Sequence, residues 1–244
     1  MTWTSPISSS DRGEAGVTGL AERLESVRVG IGDAARLAAR PIEDITTIVV
    51  TKFHPVSLIE ELFTLGVRDV GENRHQEAQA KAVELARLGL TWHFVGQIQS
   101  KKARQVRTYA SVIHSVDRPA LVAALASDDA AVDCFIQVNL TDDPARGGVA
   151  PGELLPLVDT VQSAPGLRLL GLMAVAPLNA GEPTSEPRRA FARVRELSVG
   201  MRKLAPEATA LSMGMSQDYV AAVLEGATHL RIGTAITGKR PEHS

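Results

Sequence analysis

The chain has 244 residues, 44% of them hydrophobic, and its 26 basic and 28 acidic side chains leave a formal net charge of −2. This length suits one large α/β domain or two small ones. Without a basic excess, nucleic acid is not a favoured partner. No apolar run reaches the roughly 18 residues that a membrane span needs. Because Cys134 is the only cysteine, no disulfide can form within the chain, and the sequence predicts a cytoplasmic protein.

The N-terminal region divides into a polar tail and a helix. Residues 1–15 are rich in Ser, Thr, Gly and acidic residues and lack the apolar segment of a signal peptide, which predicts a disordered tail. Residues 16–40 place apolar side chains, from Leu20 to Ile31, at helical spacing. Residues 16–244 are expected to form a single domain.

The rest of the chain alternates between strand-like apolar runs and helical patterns. Alternation implies parallel strands joined by right-handed crossovers, and eight such strands fit a closed barrel. The predicted fold is therefore an α/β, (β/α)8 TIM barrel with an extra N-terminal helix. A doubly wound open sheet is the alternative, but it does not explain why so many strands end in polar residues. The predicted strands are residues 45–52, 67–73, 92–98, 112–117, 134–140, 167–175, 209–213 and 230–236. The predicted helices between them are residues 57–65, 76–88, 100–109, 119–126, 153–162, 188–204 and 216–224.

Lys52 closes the first apolar run and is followed at once by Pro55, which opens a helix. A lysine at this place either reaches out to solvent or serves chemistry. In the second case, burial lowers the pKa of the amine and makes it a nucleophile toward carbonyls. Chemistry in a parallel barrel gathers at the C-terminal ends of the strands, where Asn73, Asn139 and Met173 also lie.

The ends of the last two predicted strands suit a phosphate. Ser212 and Ser216 offer hydroxyls, and Gly214 permits close approach of the backbone. Ser216 also opens a predicted helix, whose N-terminal N–H groups favour an anion. Gly233 and Thr234 repeat this pattern after the eighth strand. Helix capping and tight turns are the alternative interpretation of each cluster.

A phosphate site, the amine of Lys52 and a further cation, Arg231, together suggest pyridoxal 5′-phosphate (PLP). Lys52 would form an imine with the aldehyde of PLP while the phosphate is held across the barrel mouth. If Arg231 faces the pyridine nitrogen, its donor-only guanidinium would leave that nitrogen unprotonated and the ring a poor electron sink. The alternative for Arg231 is a structural ion pair with a barrel carboxylate such as Glu72.

Six segments carry a more specific pattern: Val50-Thr-Lys52, Gly71-Glu-Asn73 with Gln76-Glu77, Trp92-His-Phe-Val-Gly96 with Gln99, Gly171-Leu-Met173, Leu211-Ser-Met-Gly-Met-Ser216 and Arg231-Ile-Gly-Thr234. In order and content, over roughly residues 17–238, they closely resemble the motifs of the pyridoxal phosphate homeostasis proteins, single-domain relatives of the alanine racemase N-terminal barrel. The resemblance implies a PLP-binding barrel of fold-type III. It implies that Lys52 is the imine lysine and Arg231 lies near the pyridine nitrogen. It also implies that Ser212 and the backbone of Gly233 and Thr234 surround the phosphate. The predicted cofactor-binding residues are Lys52, Asn73, Met173, Ser212, Gly214, Ser216, Arg231, Gly233 and Thr234.

Three positions depart from the usual pattern of that family. After Gln99 the family usually has an Asn-Lys pair, where this chain has Lys101 followed by a second lysine. Arg146 stands where a lysine is usual, and Thr237 where an aromatic residue is frequent. These positions lie outside the lysine and phosphate motifs, so they bear on rim contacts and lysine-based regulation rather than on cofactor binding.

Two functions from different classes follow. A PLP-dependent amino-acid racemase needs acid and base groups on both faces of the imine. In the racemases the second group is a tyrosine from a separate β-domain, for which this sequence leaves no room after the eighth strand. It offers only Tyr109 and Tyr219, neither at a strand end. The sequence therefore favours a non-enzymatic PLP-binding protein, without catalytic residues, that buffers or delivers the cofactor and so affects vitamin B6 balance. Its expected partners are PLP and PLP-dependent apoenzymes, and a monomer is expected.

The histidines do not indicate a metal site. His93, between Trp92 and Phe94, is expected to be a hydrogen-bonded barrel histidine rather than a catalyst. No pair of histidines has the spacing of zinc ligands on one helix.

Overall fold

The structure is a computed structural model that describes residues 19–141, 143, 146–177 and 185–239. Within these residues, eight parallel strands close into a barrel in chain order, with β8 pairing back onto β1. The predicted TIM barrel is confirmed, whereas the tail predicted for residues 1–15 lies outside the described residues. The strands are β1 (Thr46–Val50), β2 (Asp69–Glu72), β3 (Thr91–Phe94), β4 (Val112–Val116), β5 (Val132–Gln137), β6 (Leu167–Met173), β7 (Ala210–Ser212) and β8 (His229–Ile232).

Helices follow the strands and surround the barrel. Where the structure is described, none of them combines the length and the apolar character needed to cross a bilayer. The helices are α1 (Leu20–Leu37), α2 (Val56–Thr64), α3 (His75–Glu84), α4 (Ala103–Arg107), α5 (Pro119–Leu125), α6 (Leu154–Gln162), α7 (Ser185–Met201), α8 (Tyr219–Leu224) and α9 (Thr234–Thr237).

The predicted N-terminal helix is α1, which packs against α8 and α9. Its apolar side chains at helical spacing, including Leu24 and Ile31, are buried. Arg23 Nε donates a 2.7 Å hydrogen bond to the carbonyl of Ile236 in α9. The extra helix therefore covers the side of the barrel where the last two βα units lie.

Several predicted boundaries differ from the observed ones by a few residues. Two of these differences bear on the barrel mouth, the rim formed by the C-terminal ends of the strands. β8 ends at Ile232 because the backbone turns at Gly233, and Thr234 already begins α9. The helix predicted from Ser216 begins only at Tyr219.

Apolar packing forms one large core and one small separate cluster. The large core buries side chains of the strands against the surrounding helices. The small cluster comprises Val112, Phe135 and Met173, and the ring of Phe135 stacks on the ring of His114 with 4.6 Å between centroids. Cys134 points into the large core, where burial raises the pKa of its thiol to about 12. Polar side chains therefore share the barrel interior with the small apolar cluster.

Candidate functional site

A cavity of about 380 Å³ opens at the barrel mouth. This volume lies within the range of small-molecule sites. A larger groove of about 740 Å³ runs along Arg104 and Ser127 to Ala130, but these last residues precede β5, at the end of the barrel opposite the mouth. Because TIM barrels place their sites at the mouth, the smaller cavity is the candidate. It is lined by Val50, Lys52, Asn73, Val95, Gly96, Met173, Val175, Met215, Ser216, Gln217, Asp218, Arg231, Gly233 and Thr234.

Seven of the nine predicted cofactor-binding residues line this cavity, and two do not. The seven come from the ends of β1, β2, β6 and β8 and from the loop after β7, which are distant in sequence. The two that do not line it are Ser212 and Gly214. The seven that do are Lys52, Asn73, Met173, Ser216, Arg231, Gly233 and Thr234.

Lys52 lies in the turn after β1, and its side chain is exposed at the cavity. The expected burial of this amine is therefore not seen. Its neighbours in the turn are anchored on both sides: Lys81 Nζ donates to the carbonyl of Thr51 at 3.0 Å, and Phe53 N donates to Glu77 Oε1 at 2.7 Å. Phe53 has a positive φ of 69°, which is unfavourable for a bulky residue. These contacts anchor the backbone on either side of Lys52.

Sequence reasoning missed the charged cluster beneath this turn. Lys81 Nζ lies 2.8 Å from Glu72 Oε1 and 2.7 Å from Glu77 Oε1. Glu72 is only 1% exposed, and burial raises the pKa of its carboxyl even though Lys81 and Thr51 donate to it. The spacing of Glu77 and Lys81, four residues apart on one helix, was the available signal.

Ser216 is placed to organise an anion site with the chain after β8. Its Oγ accepts hydrogen bonds from the backbone N–H groups of Gly233 and Ala235, both at 3.3 Å. Ser216 does not open a helix, contrary to the sequence prediction. The chain turns before α8 because Asp218 Oδ1 accepts a 2.6 Å hydrogen bond from Met215 N. The polar groups brought together here are consequently the Ser216 hydroxyl and the backbone N–H groups around the start of α9.

Gly214 serves packing rather than ligand approach. Its φ is +94°, and a Cβ atom at this position would lie 2.5 Å from the Cβ of Ala222 in α8. A side chain here would push α8 away from the barrel. The close approach that the sequence indicated exists, but the approaching group is a helix.

Ser212 is fully buried below the cavity. Its Oγ lies 2.8 Å from His114 Nδ1 and accepts a 2.6 Å hydrogen bond from Arg231 Nη1. Ser212 does not line the cavity, and its hydroxyl has two protein partners in the barrel interior, so its contact with a phosphate stays a prediction.

Arg231 lines the cavity and is 5% exposed. Besides Ser212, it donates a 2.9 Å hydrogen bond from Nη2 to the carbonyl of Ala174. The alternative of an ion pair with Glu72 is wrong, since Glu72 accepts from Thr51 and Lys81 instead. Burial lowers the pKa of Arg231 to about 10, with Asp218 acting in the opposite direction, so the guanidinium is still cationic at pH 7.

Asn73 brings an unsatisfied polar atom to the cavity. Its Oδ1 is buried and has no hydrogen-bond partner among the described residues. Gly96 lies against the backbone of Asn73, so closely that a Cβ there would be 2.2 Å from the Asn73 carbonyl oxygen. An unpaired buried carbonyl is costly, so this amide is suited to a ligand that donates a hydrogen bond.

The three departures from the family pattern do not line the cavity. Lys101 is exposed in a 3₁₀ turn before α4. Arg146 donates to the carbonyl of Ala176 at 3.1 Å, and Thr237 is buried in α9. Across the described ranges, no three His, Cys, Asp or Glu side chains are grouped to hold a metal ion.

Comparisons with known proteins agree with this geometry. The family described as "Alanine racemase, N-terminal domain" matches residues 35–241. A pyridoxal phosphate homeostasis protein of Corynebacterium glutamicum is 41% identical over 213 residues, covering 83% of this chain and 93% of that protein. The pyridoxal phosphate homeostasis protein of Pseudomonas aeruginosa is 40% identical over 228 residues, covering 91% of this chain and 96% of that protein.

A solved structure extends the similarity to three dimensions. The structure of PipY from Synechococcus elongatus, described as having PLP bound, superposes with a TM-score of 0.78 at 37% identity. The match covers 90% of this chain and all of PipY. Because both sequence and fold match over most of its length, this chain belongs to the pyridoxal phosphate homeostasis protein family, which is built on the alanine racemase N-terminal barrel.

Proposed function

We propose that this protein binds PLP in the cavity at the barrel mouth, with Lys52 as the attachment residue, and buffers or delivers the cofactor without robust catalysis. The observation that supports this most strongly is the convergence of an exposed lysine, a hydroxyl with loop N–H groups, and a buried arginine on one cavity. The relative PipY, at 37% identity, has a structure described with PLP bound.

The residues on the cavity fit the parts of PLP. The anionic phosphate suits Ser216 with the backbone of Gly233 and Thr234, since N–H and O–H donors to an ionised group form the stronger hydrogen bonds. Asn73 Oδ1, buried and unpaired, suits a hydrogen-bond donor on the ring or its attachment. Met173 offers an apolar surface to the ring. The cavity thus has a matching group for each chemical feature of the cofactor.

Bound PLP supplies an aldehyde that condenses with an amine and a ring that can accept electrons from the adduct. Lys52 would supply the amine for this condensation. The turn held by Lys81 and Glu77 fixes the direction from which the amine approaches. Arg231, a cation with donors only, disfavours a proton on the ring nitrogen and so weakens the ring as an electron acceptor.

The racemase alternative lacks the tyrosine that the racemases use as their second acid–base group. Among the described residues that line it there is no tyrosine. Tyr109 lies 3.3 Å from His75 Nδ1, and burial raises the pKa of its hydroxyl. Tyr219 begins α8 and packs on Gly30, where a Cβ would lie 2.2 Å from the tyrosine oxygen. Arg231 and the absence of a tyrosine from the described part of the cavity wall favour a carrier.

An absorbance spectrum and a transfer assay test the proposal together. Protein loaded with PLP and freed of excess ligand should show a visible band, and it should restore activity when mixed with an apoenzyme that requires PLP. Incubation with a panel of α-deuterated amino acids should release no deuterium at enzyme-like rates. Deuterium loss at such rates would favour the racemase, and absence of a visible band would exclude the proposed site. In this proposal the protein acts as a cytoplasmic monomer, which sedimentation of the loaded protein would test.

A further inference from the structure

A line of hydrogen-bonded side chains crosses the barrel interior below the cavity. Asp69 Oδ1 lies 3.0 Å from His93 Nε2, and His93 Nδ1 lies 3.0 Å from His114 Nε2. The line continues from His114 Nδ1 to Ser212 Oγ at 2.8 Å and ends at Arg231 Nη1, 2.6 Å from that oxygen. We refer to these five side chains as the interior relay.

The interior relay connects the two ends of the barrel. Asp69 is the first residue of β2, at the end opposite the mouth, and its side chain is 31% exposed. Arg231 lines the cavity at the mouth. β4 and β7 are not neighbours in the barrel, so the contact between His114 and Ser212 crosses the interior. The relay therefore has one end near solvent and the other at the proposed ligand.

The chemistry of the two ends fixes the direction of every hydrogen bond between them. Arg231 can only donate, so Ser212 Oγ accepts from it and gives its single proton to His114 Nδ1. His114 then carries its proton on Nε2 and donates to His93, which in turn donates from Nε2 to the acceptor Asp69. Reversing the two imidazoles would leave the Ser212 proton without an acceptor and set a bare nitrogen against a carboxylate. One arrangement alone satisfies all five groups.

The surroundings of His114 favour its neutral form, as this arrangement requires. Burial lowers the pKa of His114 well below its usual value, with His93, Arg231 and His229 acting in the same direction. The ring of His229 lies 6.5 Å and 6.4 Å from the rings of His93 and His114, and burial lowers the pKa of His229 to about 4. Phe135 stacks on His114 from the remaining side.

We propose that Asp69 is a positioning residue for Arg231 and acts through His93, His114 and Ser212. Asp69 accepts the last hydrogen bond of the interior relay. As a result, the Ser212 hydroxyl donates its proton to His114, and a lone pair of the same Ser212 oxygen accepts from Arg231. The guanidinium is then held between Ser212 Oγ and the carbonyl of Ala174. The consequence for PLP rests on the proposed function, whereas the tautomers of the two histidines do not.

Nitrogen NMR of ¹⁵N-histidine-labelled protein tests the relay without PLP. In the unsubstituted protein, His114 should carry its proton on Nε2, and His93 should donate from Nε2 and accept at Nδ1. In Asp69→Ala, no carboxylate fixes the direction of the hydrogen bonds in the interior relay. His114 should then populate the Nδ1-protonated tautomer measurably. His114 protonated on Nδ1 in the unsubstituted protein would overturn the proposal, and this measurement needs no variant to fold.

Asp133→Ala is the matched control. Asp133 also lies near the N-terminal end of its strand, β5, and its side chain is 21% exposed. It pairs with Arg168, which is not part of the interior relay. Both substitutions remove one carboxylate from the same end of the barrel. Only Asp69→Ala should change the histidine tautomers. If both variants change them equally, or neither does, Asp69 has no specific role.

A second measurement follows the effect to the cavity in PLP-loaded protein. Asp69→Ala should weaken PLP binding roughly tenfold, the lower end of the range seen for outer-shell partners of metal ligands, and shift the ring-nitrogen resonance of labelled PLP. Asp133→Ala should do neither. Altered tautomers with unchanged PLP signals would show that the relay exists but does not position Arg231. Failure of the parent protein to bind PLP would refute the proposed function and leave the tautomer result standing.

Discussion

Lys81 donates a 3.0 Å hydrogen bond to the carbonyl of Thr51, the residue immediately before Lys52. The same ammonium contacts Glu72 and Glu77, so α3 holds the end of β1 from below. None of these three charged side chains lines the cavity. The backbone that carries the proposed attachment lysine is therefore anchored by a charge cluster behind it.

Replacing Lys81 with methionine should strongly destabilise the protein. The substitution keeps the length of the side chain but leaves Glu72 buried without its cation, and breaking a buried pair in this way costs about 3–5 kcal/mol. Urea unfolding followed by circular dichroism measures the free energy of unfolding. Lys101→Met, at an exposed lysine, is the control and should change it by less than about 0.5 kcal/mol. Equal effects of the two variants would contradict the importance of the cluster.

The decrease in the free energy of unfolding caused by Lys81→Met should depend on pH. Burial raises the pKa of Glu72, and Lys81 is the main group opposing this, so the variant raises the pKa further. A carboxyl whose folded-state pKa exceeds its unfolded value binds more protons when folded. Such a carboxyl stabilises the folded state at pH values below its pKa in the unfolded chain. This stabilisation is lost as the pH rises through its pKa in the folded protein. The variant should therefore be closer to the parent near pH 4.5 than at pH 8, and a deficit that grows on acidification would refute this account.

Lys52→Ala should abolish the visible absorbance of PLP-loaded protein. Borohydride reduction of the loaded parent, followed by peptide mapping, should place the label on Lys52 because its amine is exposed at the cavity. Lys102→Ala serves as the control, since Lys102 lies in a 3₁₀ turn and does not line the cavity. A label on any other lysine would refute the assignment.

Ser216→Ala and Ser212→Ala should have different effects, because one hydroxyl lies at the cavity and the other below it. A charge-assisted hydrogen bond contributes about 1.5–3 kcal/mol. Ser216→Ala should therefore weaken PLP binding by roughly tenfold or more and change the binding of pyridoxal, which lacks the phosphate, very little. Ser212→Ala removes the acceptor of Arg231 and should weaken both ligands alike. Titration calorimetry measures the four affinities. The opposite pattern would place the phosphate at Ser212.

Local periodicity and strand-end chemistry were enough to predict the barrel and half of the residues that line the cavity. Lys52 and Arg231 were found because parallel strands bring their C-terminal ends together, whatever their separation in sequence. The sequence did not indicate that the Ser212 hydroxyl points into the barrel interior, because its partner there, His114, lies three strands away in the barrel. Likewise, the pairing of Lys81 with Glu77 is visible in the sequence, but its contact with Thr51 depends on how α3 packs.

Arg231→Glu should protonate the ring nitrogen of bound PLP near neutral pH. The guanidinium lines the cavity and offers only donors, which disfavours a proton on the facing nitrogen, whereas a carboxylate accepts one and favours the pyridinium. Arg231→Lys retains the cation and should leave the nitrogen unprotonated. Nitrogen NMR of labelled PLP reports the protonation state directly, and the visible band reports that the cofactor is still attached at Lys52. If a folded, PLP-loaded Arg231→Glu protein gives the ring-nitrogen shift of the parent, then Arg231 does not face that atom.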